Sequence, residues 1–451
     1  MLFASFIVFA AFAVLYFIVN ADIPGTWKFA IGIFEMFVVG QILIAKYSLK
    51  GEYGIIMLRT KKGLQIIREL AKSEKLWNFF ADSGLVVSYG ALSFFLMKKH
   101  ITWKSAIVGF VVLIAISMFV VPFVLPFLAE NIQGIMPAKS EGAAISKLSS
   151  FVLPIGLILL LGGGFFAVLL FSLLFYGVTV LYALISTFAF GTTAISQTSP
   201  GATLLLPGIN LPFVEGILAL VIILIVHEGA HAVLGRIAKV PILSSGIVLF
   251  GVIPVGAFVE PDEEFLKKVE RTKQTRVLVA GSAANMFTSL VFFILFIGFL
   301  FVSMPYRETG LYVISGTVAN GTIIHTINGM DAANFENITL GKNAEIVLGT
   351  NNGEITLKTN NEGKMGISFY VLEKSLLFAK FKDWYFGFIY MVLGLVFSLN
   401  FVIGSINLLP LPFFDGHRIM ELNIKNQMIV KALMYVTIAG FVLNIVPHFF
   451  R

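Results

Sequence analysis

The sequence predicts an all-α polytopic membrane bundle of about eight or nine transmembrane helices, joined to a membrane-associated β segment and a small β-rich insert. Three observations predict it. Of 451 residues, 58% are hydrophobic and only 13% charged, whereas a soluble domain carries about 25% charged residues. Apolar runs of roughly 20 residues, the length that spans a bilayer, recur along the chain. One stretch, 306–372, breaks this pattern and alternates β-branched residues with Gly and Asn.

Taken in order, residues 2–20 run apolar without a basic leader and read as a first membrane helix rather than a cleaved signal. Residues 29–45 are apolar apart from Glu35 and read as a second span. Residues 46–78 carry helical periodicity (Leu64, Ile67, Leu70, Leu76) and many cations, so they read as an amphipathic helix along the cytoplasmic surface. Asp82 weighs against a crossing at 79–97, while 106–128 is a clean span. The apolar stretch 151–190 is too long for one simple crossing, and Gly162, Gly163 and Gly164 predict a tight turn dividing it into two. Further spans fall at 213–237, 277–304, 384–408 and 428–446. In 306–372, two β-like runs meet at Asn351-Asn352-Gly353, a hairpin signal. The organisation expected is an N-terminal transmembrane region (1–200, with the loop 46–78), a first core half (201–304), the soluble insert (305–375), and a second core half with the last span (376–451).

The formal charge of +7 does not imply nucleic acid, because the cations gather in loops beside apolar runs. Residues 46–75 hold eight Lys/Arg against three Glu, which places this loop in the cytoplasm, and the charged stretch before Arg276 reads the same way. One span later, the insert is expected outside the cytoplasm. The partners expected are the lipid bilayer and transmembrane protein substrates. Cys is absent, which excludes disulfides and thiolate metal sites. Asn320-Gly321-Thr322 and Asn337-Ile338-Thr339 match glycosylation sequons, a pattern short enough to arise by chance.

The chemistry starts at His227-Glu228-Gly229-Ala230-His231, an HExxH pattern within the apolar run 213–237. On a helix, positions i and i+4 lie about 40° and about 6 Å apart, so both imidazoles reach one ion. Glu228 projects to the same side, placed to take a proton from water polarised by that ion. An ionisable residue at a helix centre in lipid costs about 2.5–3.5 kcal/mol, so three within five positions demand a function. With no thiolate available, the ion expected is one Zn2+ per chain.

A third ligand must come from elsewhere. The extended HExxHxxGxxH pattern would need Gly at 234 and His at 237, where Leu234 and Ile237 stand. Glu260, Glu263 and Glu264 are available in a charged loop, and His417 lies two residues beyond Asp415. Asp415 is the stronger candidate. It ends Asn407-Leu408-Leu409-Pro410-Leu411-Pro412-Phe413-Phe414-Asp415-Gly416, where two prolines break the helix that precedes them, and irregular backbone at membrane depth is tolerated only against protein or a cavity.

These residues resemble the site-2 protease family of intramembrane metalloproteases, peptidase family M50. That family pairs HExxH on one membrane helix with N-x-x-P-x-x-x-x-D-G on a later one, filled here by Asn407, Pro410, Asp415 and Gly416. Its G-x-x-x-N feature resembles Gly281-Ser282-Ala283-Ala284-Asn285. The likeness covers about 206–416. It implies an intramembrane zinc endopeptidase with His227, His231 and Asp415 as ligands and Glu228 as general base. It also implies a PDZ-like character for the insert, a re-entrant β segment over 244–258 that pairs with unwound substrate, and oxyanion or substrate contacts for Asn285 and Asn407. A membrane HExxH peptidase of CAAX type with a Glu ligand, and a non-enzymatic metal transporter or scaffold, are the alternatives.

Overall fold

The computed structural model describes residues 2–21, 25–60, 63–97, 100–131, 142–203, 205, 207–208, 210–372 and 379–450. The insert boundary expected at 375 and the start of the family likeness at 206 lie outside them. The chain divides into two compact units, Met1–Phe293 with Gly394–Arg451, and Ile294–Leu393.

Fifteen α-helices occur among the described residues. The first two are α1 (Leu2–Asn20) and α2 (Gly25–Tyr47), followed by α3 (Gly63–Leu70), α4 (Glu74–Tyr89), the short α5 (Ser93–Met97), α6 (Trp103–Ala115) and α7 (Val121–Asn131). Then come α8 (Gly142–Phe190), the short α9 (Ala194–Gln197), α10 (Phe213–Ile237), the short α11 (Glu263–Leu266) and α12 (Arg271–Val302). The last three are α13 (Trp384–Ile406), α14 (Asp415–Asn423) and α15 (Gln427–Ile445). Among the described residues, seven helical stretches are long and apolar enough to cross a membrane: Glu74–Met97, Trp103–Ala129, Ile155–Phe190, Phe213–Ile237, Arg271–Val302, Trp384–Ile406 and Gln427–Phe449. The run Ser5–Ile18 within α1 is apolar but shorter.

Residues 151–190 lie in α8, in which two helices meet at a kink at Gly164 (φ 61°, ψ −159°), inside the glycine run expected to turn the chain. The bend brings Gly164 against the backbone of Ser88 and Gly90, where a side chain would collide with α4. Glycine there permits both the kink and the close contact. The structure corrects two expectations. Asp82 does not exclude a crossing at 79–97, because it is buried and paired with Arg276. The loop 46–78 is helical only in part. Its α3 packs Ile67 against Ala232 and Val233 of α10, but the preceding residues form a hairpin of β1 (Gly51–Glu52) and β2 (Ile55–Thr60). Tyr53 and Gly54 both adopt positive φ (52° and 78°), the backbone a two-residue hairpin turn requires.

This hairpin completes a four-stranded antiparallel sheet, order β1-β2-β3-β4, with β3 (Ile242–Phe250) and β4 (Ile253–Pro261). The β segment expected over 244–258 is thus the β3–β4 hairpin, lengthened by strands from the N-terminal region. β2 pairs with β3 from Ile55 opposite Phe250 to Thr60 opposite Ser245. Buried Met36 and Leu43 of α2 pack with Ile56 and Val252 on the sheet. β4 is the terminal strand of the sheet, and its outer edge has no strand partner among the described residues.

The second unit holds six strands, β5 (Leu311–Gly316), β6 (Ile323–Ile327), β7 (Met330–Asp331), β8 (Glu345–Thr350), β9 (Gly353–Lys358) and β10 (Ile367–Val371). Five run in order β10-β5-β6-β8-β9, with β7 paired to β6, and every pairing is antiparallel. The expected hairpin is present: Thr350 pairs with Gly353, leaving Asn351-Asn352 as the turn. Alternating residues Leu311, Val313, Ile346 and Leu348 fill the core. Burial lowers the pKa of Lys380, whose ammonium lies 4.9 Å from the Tyr312 ring centroid.

Candidate active site

The apolar run preceding His227 forms α10 without interruption, and the helix ends where Lys239 turns left-handed (φ 63°). His227 and His231 fall one turn apart near its end, and their Nε2 atoms lie 3.1 Å apart. The third group arrives on the broken segment after α13. Asn407 carbonyl accepts the Gly416 N–H at 2.8 Å, closing a loop around Pro410 and Pro412. Within it Phe413, fully exposed, adopts φ 72°, which reverses the chain so that Asp415 opens α14. A side chain at Gly416 would overlap the Leu408 carbonyl, so the loop closes this tightly only on glycine.

Asp415 Oδ2 lies 3.3 Å from His227 Nε2 and 3.2 Å from His231 Nε2. Tetrahedral zinc with bonds of about 2.0–2.1 Å places its donors about 3.3–3.4 Å apart, so the three separations match one face of such a tetrahedron. The proton arrangement fits as well. His231 Nδ1 lies 2.7 Å from the Val277 carbonyl, a contact that needs the proton on Nδ1 and leaves the Nε2 lone pair facing the other two donors. Two nitrogens and one carboxylate oxygen, with no sulfur, form a donor set suited to Zn2+. The residues therefore fit the ion.

α12 forms the opposite wall. A Cβ at Gly281 would strike both imidazole rings, so only glycine lets this helix approach the histidines. One turn on, the amide of Asn285, fully buried, lies 3.2 Å from His227 Nδ1. Its other amide atom has no hydrogen-bond partner. Oxygen and nitrogen of an amide are assigned from the network around them. A metal on Nε2 requires a proton on Nδ1, which the Asn285 oxygen would then accept. Asn285 thus stands behind the His227 ring. Asn407 contributes its backbone carbonyl to the loop.

Glu228, half-buried, accepts the Val259 N–H of β4 through Oε2 at 3.3 Å. The general-base candidate therefore sits on the outer edge of the sheet. The rival carboxylates are engaged elsewhere. Glu260 accepts from Arg59 at 3.1 Å and from Ser244 at 2.6 Å, tying β4 to β2 and β3. Glu263 faces Arg418 at 3.6 Å, and Glu264 faces Lys267 at 3.1 Å. His417 is not among the three converging groups. Sequence reasoning missed the Val277 carbonyl, for which no side-chain signal exists. It also missed the β1–β2 hairpin, whose Tyr53-Gly54 pair followed by Ile55-Ile56 was a usable sign.

The model of peptidase family M50 matches residues 215–446. An uncharacterized protein of the archaeon Methanocaldococcus jannaschii is 31% identical over 224 residues, covering 46% of this chain and 57% of that protein. The chain thus matches little more than half the length of this relative. No solved structure matches. The matched segment contains the HExxH helix, the glycine and asparagine of α12 and the Asp415 loop, and the chain belongs to peptidase family M50, that of the site-2 proteases.

Proposed function

We propose that the protein is an intramembrane zinc endopeptidase, cutting peptide bonds within or near transmembrane helices of membrane-protein substrates. The observation that carries this reading is the convergence of His227, His231 and Asp415 at tetrahedral spacing on an apolar helix, with Glu228 anchored beside them on an open strand edge.

A transmembrane helix bonds all its amides internally, so it must unwind before hydrolysis. The outer edge of β4 is suited to receive the unwound segment as a fifth strand. Val259 N–H points outward to Glu228, and strand alternation gives Ala257 the same outward direction. Pairing along this edge would hold an extended peptide beside the Glu228 carboxylate. His227, His231 and Asp415 would hold Zn2+, which when bound polarises a carbonyl and lowers the pKa of water to about 7. Glu228 takes the proton of the attacking water and passes it to the leaving amine nitrogen. Asn285 and the Val277 carbonyl keep the two imidazoles in the tautomer that leaves Nε2 free.

The β-rich unit contains a cavity of about 450 Å3 along β10, with Phe335, Leu340 and Gly363–Gly366 on its other walls. We read it as the peptide groove of a PDZ-like module lying outside the cytoplasm. We read water access to the site as cytoplasmic, a reading supported by Arg236 five residues after His231 and by the cation-rich segment 46–75. The test is zinc content together with cleavage of a panel of single-span substrates. Glu228→Gln is expected to retain zinc and lose cleavage by at least 100-fold. Wild-type protein that holds zinc but cleaves none of the panel would end the peptidase reading, and a Glu228→Gln protein that cleaves like wild type would remove Glu228 from the role of base.

A further inference from the structure

We infer that Asp82 and Arg276, an ion pair joining α4 to α12, are positioning residues for the zinc ligand His231. The inference rests on the zinc site proposed above. Asp82 lies outside the segment matched by the family model, on a helix with no part in the metal motifs. Arg276 Nε donates to Asp82 Oδ1 at 2.7 Å and Nη2 to Oδ2 at 2.8 Å, a bidentate fork between side chains only 18% and 5% exposed. The residue after Arg276 is Val277, whose carbonyl accepts the His231 Nδ1 proton at 2.7 Å.

The coupling is geometric. A neutral imidazole has two tautomers, and the hydrogen bond at one nitrogen decides which carries the lone pair. For His231 that bond ends on a main-chain carbonyl, so the rotation and height of α12 at Val277 set the ligand. A bidentate guanidinium–carboxylate pair fixes orientation as well as distance, and here it fastens α12 one residue from the carbonyl. Two further contacts join α4 to α12. Gly84 has no room for a side chain against Ala283, and the rings of Phe80 and Phe287 lie 4.8 Å apart. α4 therefore braces α12 from the Val277 carbonyl to Phe287, beyond Asn285. Buried ion pairs are weak contributors to stability compared with apolar packing. Held against the carbonyl that sets a metal ligand, this one has a specific use.

The experiment uses the full chain in detergent, stripped of metal. Zinc affinity is measured by competition with a chromophoric chelator, and the absorption bands of added Co2+ report the ligand geometry. Asp82→Asn and Arg276→Lys, the second keeping the charge but not the fork, are each expected to weaken zinc binding about 10-fold and to alter the Co2+ bands. A lowered melting temperature with zinc affinity and Co2+ bands as in wild type would mean that the pair only packs helices, and would overturn the inference. Should Asp82→Asn fail to fold, Arg276→Lys decides by the same criterion. Neither readout needs a substrate. A wild-type protein that binds zinc but cleaves nothing would sink the peptidase proposal and leave this one standing.

Discussion

Replacing Gly281 by alanine puts the geometry of the site to a quantitative test. The added methyl would point at Cε1 and Nε2 of His227 and at Nε2 of His231, closer than real Cβ contacts allow. Either α12 retreats or the rings do, by roughly 0.5 Å or more, beyond the ±0.2 Å that metal–ligand bonds tolerate. Stability should barely report this. Alanine in a helix interior gains about 1 kcal/mol over glycine, and overpacking costs about 1–3 kcal/mol, a net loss of about 0–2 kcal/mol. Zinc affinity should fall on the order of 100-fold, about 2.7 kcal/mol, as when an outer support of a ligand is removed. The two quantities separate in a melting curve of metal-free protein and a competitive zinc titration. If Gly281→Ala binds zinc within about threefold of wild type, the close approach of α12 to the imidazoles does not determine the site, and the reasoning fails.

Gly416→Ala should displace the Leu408 carbonyl, open the loop closed by Asn407 and abolish bound zinc, which elemental analysis of the purified protein would read; full zinc occupancy would mean that Asp415 does not depend on that closure. Asn285→Ala should weaken zinc binding about 10–100-fold. If affinity holds and only turnover drops, Asn285 acts on substrate as the sequence reading had it. Asp415→Ala should lose the metal, whereas Glu260→Ala should keep it and lose at most about 1 kcal/mol of stability with its Arg59 and Ser244 contacts. Zinc lost from the Glu260 variant alone would assign the chain to a different class of membrane peptidase.

What could be read from the chain depended on how far apart the interacting parts lie. Periodicity and length located α10 to the residue, because its pattern is local and lipid penalises any error in it. The chemistry of His227, Glu228 and His231 was likewise carried within five positions. Asp415 could be found at a distance only because Pro410, Pro412 and Gly416 mark a break that a membrane helix would otherwise avoid. The Gly162–Gly164 run marked the kink within α8, but the close contact with α4 that the same glycine allows could not be read from the run itself. The hairpin at Tyr53-Gly54 was obscured because cations and helical periodicity in the same loop pointed to a surface helix. Asp82 is the most instructive case. Read alone, a carboxylate in an apolar run argues against a span, and its partner Arg276 lies 194 positions away. A buried charge has the opposite meaning once its partner is known, because the pair then fixes two helices together where apolar surfaces would slide. The same physics that made Asp82 look like an obstacle makes it, in the folded chain, the contact that joins an N-terminal helix to α12 one residue from the Val277 carbonyl on which His231 rests.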